Sequence, residues 1–261
     1  MFTRRLILAY FFVTAATTPL LIWFQLTVVL ALIWAMAGFI FFIPSVVPNN
    51  RLFGPVITRF RTTHREVWLT IDDGPDPQDT PEILSLLSQY QVRATFFLIG
   101  KRAARHPELV REILRRGHTL GNHTFTHPEA SFWMAHPSRL HQEIDHCAEV
   151  LSTITPQAQV SGFRAPVGMV NLFLHPALRR QKLRLIGWSS RGFDAVWTDP
   201  NKIVDRIWQE VAPGAIILLH EGNHPSGELP VNPRCLELLL DRLKSAGYAV
   251  VIPSLEQLSG K

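Results

Sequence analysis

Strand and helix signals alternate from Glu66 to the C terminus and predict an α/β fold, a parallel barrel of about seven β/α units. Three observations carry that expectation. Short runs rich in β-branched and aromatic residues recur, beginning with Val67-Trp68-Leu69-Thr70-Ile71, and amphipathic helical stretches separate them. The residues able to do chemistry fall where strands should end, which in such a fold is the face that carries the site. An apolar stretch of another kind, Leu6 to Ile43, precedes the whole and holds no charge.

Residues 1–43 are expected to be a membrane anchor. As one straight helix, Leu6 to Ile43 would be about 57 Å long, against a hydrocarbon core only ~30 Å thick. Leu20 to Ile43 alone is long enough to cross. Three arrangements stay open: one span, a tight hairpin, or a cleaved leader outlined by Arg4-Arg5 and the small residues Ala15-Ala16. In the hairpin, spans near Leu6–Ile22 and Leu26–Ile43 would turn around Trp23 to Gln25. Basic residues flank both ends, Arg4 and Arg5 before and Arg51, Arg59, Arg61 and Arg65 after. That favours two cytoplasmic flanks and hence the hairpin, in a bacterial-type inner membrane. A single span would put the rest of the chain outside.

Charge is unevenly distributed. Of 26 Lys and Arg, six lie in residues 1–65, which hold no Asp or Glu; the other 20 face 21 acidic residues. The basic balance therefore belongs to a membrane flank and argues against nucleic-acid binding. Residues 44–65, with Pro44, Pro48, Asn49, Asn50, Gly54 and Pro55, read as a basic connector, either against anionic lipid headgroups or simply exposed. Cys147 and Cys235 form neither a disulfide framework nor a metal-type pair. Nothing in the pattern fixes an oligomeric state.

From Glu66 onward each element has its own signal. Thr80-Pro81 should open a helix to Tyr90, with Thr80 as the cap. Arg93–Ile99 reads as a strand, Pro107–Arg116 as a helix stopped by Gly117, and His118–Leu120 as a short strand. Ser138–Ser152 carries Leu140, Ile144, Cys147, Ala148 and Leu151 on one helical stripe. Gln159–Phe163 is a strand, Asn171 is expected to cap a helix to Gln181, and Arg184–Trp188 is another strand. Helix Pro200–Val211, strand Ala215–Leu219, helix Pro233–Ala246 and strand Tyr248–Ile252 complete the series. Phe163 and Trp188 read as core, His118 as a packing residue, and His136 and His224 as loop histidines.

Two clusters stand out. Asp72-Asp73-Gly74-Pro75 places two carboxylates at a sharp turn after a strand, where both can face one cleft. One can serve a metal while its neighbour acts as a base. His123-Thr124-Phe125-Thr126-His127 places two imidazoles four residues apart, on one face if the segment is a helical turn. Each cluster has an ordinary reading, as turn punctuation or as an incidental pair among eleven histidines. Together, one Asp and two His supply three ligands and leave a position for water.

These segments, followed by Arg164-Ala165-Pro166-Val167-Gly168 and Ile217-Leu218-Leu219-His220, resemble the ordered motifs of the polysaccharide deacetylases. These are the NodB-homology enzymes of carbohydrate esterase family four, and the resemblance spans about Glu66 to Leu258. It implies a distorted (β/α)₇ barrel over residues 66–261 and hydrolysis of an N-acyl amide on an amino sugar. It implies Asp73, His123 and His127 as ligands of a divalent metal, zinc first, with cobalt, nickel or manganese as alternatives. It further implies Asp72 as general base, Arg164 as the group orienting it, His220 as general acid, Leu218 as the wall for the acyl methyl and the Val167 N–H as an oxyanion donor. Ile71 stands where the family commonly has Phe, and Val167 where an aromatic or glycine is common. In Trp188-Ser189-Ser190-Arg191-Gly192-Phe193-Asp194-Ala195, the resemblance is weaker, because Arg191 replaces an Asp and Ala195 a Trp. Asp194 would support Arg164 or tune His220, and Arg191 would suit an anionic substrate.

The sequence therefore reads as a membrane-anchored sugar N-deacetylase whose partners are an amino-sugar glycan and membrane lipid. One rival is a deformylase or deacetylase of a lipid-linked sugar; another is a silent glycan-binding or assembly protein that keeps the barrel.

Overall fold

In the computed structural model, which describes residues 2–23, 27–222 and 231–258, a seven-stranded all-parallel sheet is built around one strand, β1 (Glu66–Asp72). On one side β1 pairs along its length with β6 (Ala215–His220). On the other it pairs first with β7 (Ala249–Val250) and then with β2 (Thr95–Leu98). Beyond β2 lie β3 (Thr119–Asn122) and β4 (Val160–Phe163); beyond β6 lies β5 (Ser190–Arg191).

Strand alternation decides what each face does. Val67, Leu69 and Ile71 join the core beneath the helices, while Trp68, Thr70 and Asp72 face the opposite side. There the Trp68 indole donates to Thr95 Oγ1 at 2.8 Å and Thr70 Oγ1 donates to the Ile217 carbonyl at 2.6 Å. Asp72 thus ends a buried polar column.

The sheet is not closed by a continuous ladder. Its two edges are linked by the segment 184–191, which divides its hydrogen bonds between them. The Ile186 N–H donates to Phe163 on β4 (2.8 Å), and the Ser189 N–H donates to Ile216 on β6 (3.0 Å). The strand expected over Arg184–Trp188 is therefore reduced to isolated bridges, and regular pairing shifts to β5.

The helices follow the expected order as α3 (Asp79–Gln89), α4 (Gly100–Arg105), α5 (Pro107–Arg115), α6 (Pro137–Ile154), α7 (Leu174–Arg180), α8 (Pro200–Trp208) and α9 (Val231–Ser245). The six-residue α4 carries no sequence period long enough to detect. Along α6, Leu140, Ile144, Cys147 and Leu151 are buried as expected. Neither expected cap holds. Thr80 lies inside α3, its hydroxyl accepting from the Asp76 N–H at 2.8 Å and donating to Glu221. Asn171 precedes α7 by three residues; its amide donates to the Phe132 and Ala135 carbonyls and its oxygen accepts from the Phe173 N–H.

Two apolar helices precede the sheet, α1 (Phe2–Trp23) and α2 (Thr27–Val46). They lie side by side, with Phe11 meeting Trp34 and Phe41 edge-on. The expected turn at Trp23 to Gln25 falls mostly outside the described residues. Val28–Val46 is long and apolar enough to cross a membrane, and Leu32, Met36 and Phe39 on it are exposed. Residues 48–60 are not a loose connector: Phe53, Val56 and Phe60 are buried, and the Ile57 and Phe60 N–H groups donate to Leu185 and Gly214.

Candidate active site

Five segments converge at the C-terminal ends of β1, β3, β4, β5 and β6. Asp72 closes β1 and Asp73 follows at φ 73°, so the chain turns and both carboxylates face one cleft. Left-handed backbone is costly for a side chain with a Cβ, of order 1–3 kcal/mol. Thr124 (φ 68°), His127 (φ 55°), Val167 (φ 55°) and Phe193 (φ 61°) share it, so five strained residues sit in the loops around one point.

The imidazoles meet, but not through a helical turn. The segment after β3 is a loop, and its fold is enforced by one local bond and by contacts from α6, remote in sequence. Asn122 Oδ1 accepts from the Thr124 N–H, and Glu143 on α6 accepts from the Phe125 N–H (3.1 Å), the Thr126 N–H (2.7 Å) and the Thr126 hydroxyl (2.6 Å). Arg139 pairs with Glu143 at 2.7 Å. Residue types alone do not point to Glu143, but its position does, as a carboxylate on the buried stripe of α6.

His123 Nδ1 lies 2.9 Å from the Arg164 carbonyl, which fixes its proton there and leaves Nε2 facing the cleft. That Nε2 is 3.3 Å from Asp73 Oδ1, and His127 Nε2 is 3.4 Å from the same oxygen. Asp73 Oδ1 is buried and has no hydrogen-bond partner. A lone carboxylate oxygen between two imidazole nitrogens, all within 4.8 Å of one another, is a donor set that fits a divalent cation. Burial opposes ionisation of Asp73, yet His123, His220 and His127 hold its carboxyl well below the usual range. Burial, and then repulsion from His123, pushes His127 down to about 4, a neutral ring suited to ligation. His123 also meets burial, but Asp72 and Asp73 prevail and raise it.

Asp72 and Arg164 form a second unit. The guanidinium is fully buried, 2.6 Å from Asp72 Oδ1 and 2.8 Å from Thr70 Oγ1, and donates to the Ile186 and Gly187 carbonyls. It lies over the Phe97 ring, 4.2 Å to the centroid. With every side of the fork occupied, Arg164 has one orientation available.

His220 and Asp194 form a third. Asp194 Oδ1 lies 2.9 Å from His220 Nδ1, and Oδ2 accepts the His220 N–H at 2.7 Å. Asp194 therefore serves His220 rather than Arg164. Burial works against charge on His220, but Asp194, then Asp73 and Asp72, push it up to about 9. Leu218 lies two residues before His220 on the same face of β6, and Val167 is exposed at the mouth. Arg191 is half-buried, stacked on Phe193 (4.3 Å) and Trp188 (5.5 Å), and the described residues give it no ion-pair partner. Glu221, after His220, is buried and pushed up to about 8 by burial. It packs so tightly behind the first loop that a Cβ on Gly74 would lie 1.8 Å from its Oε1. His224 lies outside the described residues.

Comparison with known proteins agrees with this geometry. A family model described as polysaccharide deacetylase matches residues 60–186. Chitooligosaccharide deacetylase from Bradyrhizobium sp. (strain ANU 289) is 35% identical over 196 residues, covering 71% of this chain and 88% of the relative. A peptidoglycan-N-acetylglucosamine deacetylase from Bacillus cereus is 33% identical over 188 residues, covering 71% of this chain and 85% of the relative. Among solved structures, the Bc1960 peptidoglycan N-acetylglucosamine deacetylase superposes with a TM-score of 0.67 at 30% identity, covering 74% of this chain and 88% of that one.

Proposed function

The chain belongs to the polysaccharide deacetylase family, hydrolases of the N-acetyl amide bonds of sugars, and from that premise we propose that it deacetylates N-acetylglucosamine units of a glycan or glycan precursor at a membrane. The observation that carries this reading is the partnerless Asp73 Oδ1 set between His123 and His127, flanked by the Asp72–Arg164 and His220–Asp194 pairs.

Asp73, His123 and His127 would hold a divalent metal, zinc first among the candidates. Bound there, such an ion supplies Lewis acidity toward the acyl carbonyl and toward water. Asp72 takes the proton from the attacking water, and Arg164 fixes the direction of its carboxylate. The Val167 N–H donates to the developing oxyanion, and Leu218 walls in the acyl methyl. His220, its Nδ1 engaged by Asp194, delivers a proton from Nε2 to the leaving amine. Arg191, which no described carboxylate approaches within ion-pair distance although Glu210 lines the same cleft, offers a cation to an anionic part of the substrate. The assembled base, acid and ligand set speak against the silent glycan-binding alternative.

The N-terminal helices support anchoring. The beginning of α1 and the end of α2 both pack on the catalytic domain, Ile7 against the cluster containing Phe53 and Phe132, and Phe42 against Trp133. A hairpin with both ends on the domain's side fits, and the flanking arginines support the cytoplasm as that side. A carboxyl-terminal reporter active on one side of the membrane checks this.

The test of the activity is metal analysis of the full chain in lipid nanodiscs together with acetate release from N-acetylchitooligosaccharides. We expect about one divalent ion per chain and turnover, both lost in Asp73→Ala and His123→Ala. A variant that turns over without bound metal would overturn the reading.

A further inference from the structure

Apolar surface is concentrated where the helix pair meets the catalytic domain. A cavity of about 430 Å³, within the range of small-molecule sites, opens there. One wall is Phe11, Phe12 and Ala15 of α1; the other is Trp133, Met134 and Phe173. Phe12, Met134 and Phe173 are exposed. The one amide on the lining, Asn171, is already bonded to Phe132 and Ala135. Such a lining has little to offer sugar hydroxyls and much to offer hydrocarbon.

The cavity is tied to the site by the chain itself. Trp133 and Met134 follow His127 by six and seven residues, and Phe173 follows Gly168 by five. The end of α2 is fastened to the same loops. The Val170 N–H donates to Ser45 (3.0 Å), the Asn49 N–H to Gly168 (3.2 Å), and the Asn49 amide to Trp188 (3.0 Å). The helix pair is therefore a fixed part of the site's rim. Beside Pro48 and Asn49, a second, polar cleft of about 320 Å³ presents Arg191 together with Arg206, the latter paired with Glu210 at 2.8 Å. Both openings therefore border the stretch Ser45–Asn49, which is bonded to the loops that follow the site's strands.

We propose that the substrate is an N-acylated amino sugar joined through a phosphate to a hydrocarbon chain, with the chain lying between α1 and Trp133–Met134 and the phosphate facing Arg191. This rests on the deacetylase reading for its chemistry and on membrane attachment for access, since a cavity walled by α1 opens directly toward acyl chains.

The test uses the metal-loaded full chain in nanodiscs of phosphatidylethanolamine and phosphatidylglycerol. The probe is N-acetylglucosamine 1-(decyl phosphate) with bromines on the chain, which quench a nearby indole. The probe is expected to quench a fluorescence component that Trp133→Phe removes. Ala15→Phe, which fills the cavity, should weaken quenching and raise KM for the probe at least tenfold while leaving N-acetylchitobiose turnover unchanged. Arg191→Gln should weaken binding of the probe but not of its phosphate-free decyl glycoside. Equal quenching by brominated decyl phosphate without a sugar would mean a plain lipid site and overturn the proposal. So would an Ala15→Phe effect on both substrates, or on neither. Quenching without deacetylation would instead sink the deacetylase reading and leave the docking site standing.

Discussion

The two halves of the sheet are built differently, and the site lies across their junction. From β1 to β4, four strands pair in sequence order through ladders of regular register, broken only by a bulge between β3 and β4. That half supplies Asp72, Asp73, His123, His127 and Arg164. The other half keeps one full ladder, β1 with β6, which ends in His220, but its edge strand β5 is two residues long and isolated bridges take over beyond it; it supplies Asp194, His220 and Arg191. The donor set and the base are thus held by buried, multiply bonded groups, and the acid's partner Asp194 and the charged rim by irregular backbone. Precision of the reacting geometry comes from the first half, while the second has freedom to vary what is recognised.

Substitutions in each half would test this division. In the first half, Asp72→Asn keeps the shape and the ligands but removes the proton acceptor. We expect acetate release to fall by about 10²–10⁴-fold with metal content unchanged, and loss of the metal as well would show that Asp72 is itself a ligand. In the second half, Asp194→Asn should cost about 10²-fold, at the lower end of the general-acid range. It should also change the pH profile. The acid works only when protonated, and Asp194 is the chief group raising His220 to about 9. Without that carboxylate His220 deprotonates earlier, so the alkaline limb of kcat/KM moves to lower pH. An unmoved limb would assign the acid elsewhere.

A third substitution reaches the first half from behind. Glu143 touches no candidate ligand, yet it holds two of the three backbone N–H groups between His123 and His127. Glu143→Gln keeps the volume and trades two charge-assisted bonds for neutral ones. Metal affinity, read by competition with a chelating dye, should weaken by about 10–100-fold, the usual effect of a group that orients ligands. If affinity holds while activity falls, Glu143 is shaping substrate access instead.

The same contrast explains what the sequence disclosed. β1, the stripe of α6 and the residues of the donor set are local patterns, so strand chemistry, helical period and motif order reveal them. What stayed hidden depends on competing hydrogen bonds, some local and the decisive ones to partners distant in the chain. The His123–His127 spacing suggests a helix, but Glu143 and Asn122 offer the loop better hydrogen bonds. Thr80 has the chemistry of a cap, but Asp76 and Glu221 claim its hydroxyl. Arg184–Trp188 has strand composition, but its backbone serves two edges at once.

The smallest effect concerns the floor of the regular half. His118, just before β3, is buried, and its Nδ1 accepts the Ala94 N–H at 3.1 Å, which requires a neutral ring. Burial, aided by Arg116 and Arg93, pushes it down to about 4, below the unfolded reference of 6.5. A depressed pKa means that the folded state resists the proton. The stability it contributes is complete above about pH 6.5 and is lost as pH falls from there through about 4. The gap between that value and the unfolded reference bounds the loss at about 3 kcal/mol. His118→Gln keeps an acceptor for Ala94 but does not titrate. In urea titrations from pH 7 to 4.5, the native chain should lose stability faster than the variant. Parallel slopes would mean that the acid sensitivity lies elsewhere, with the buried carboxylates of the site as the next groups to replace.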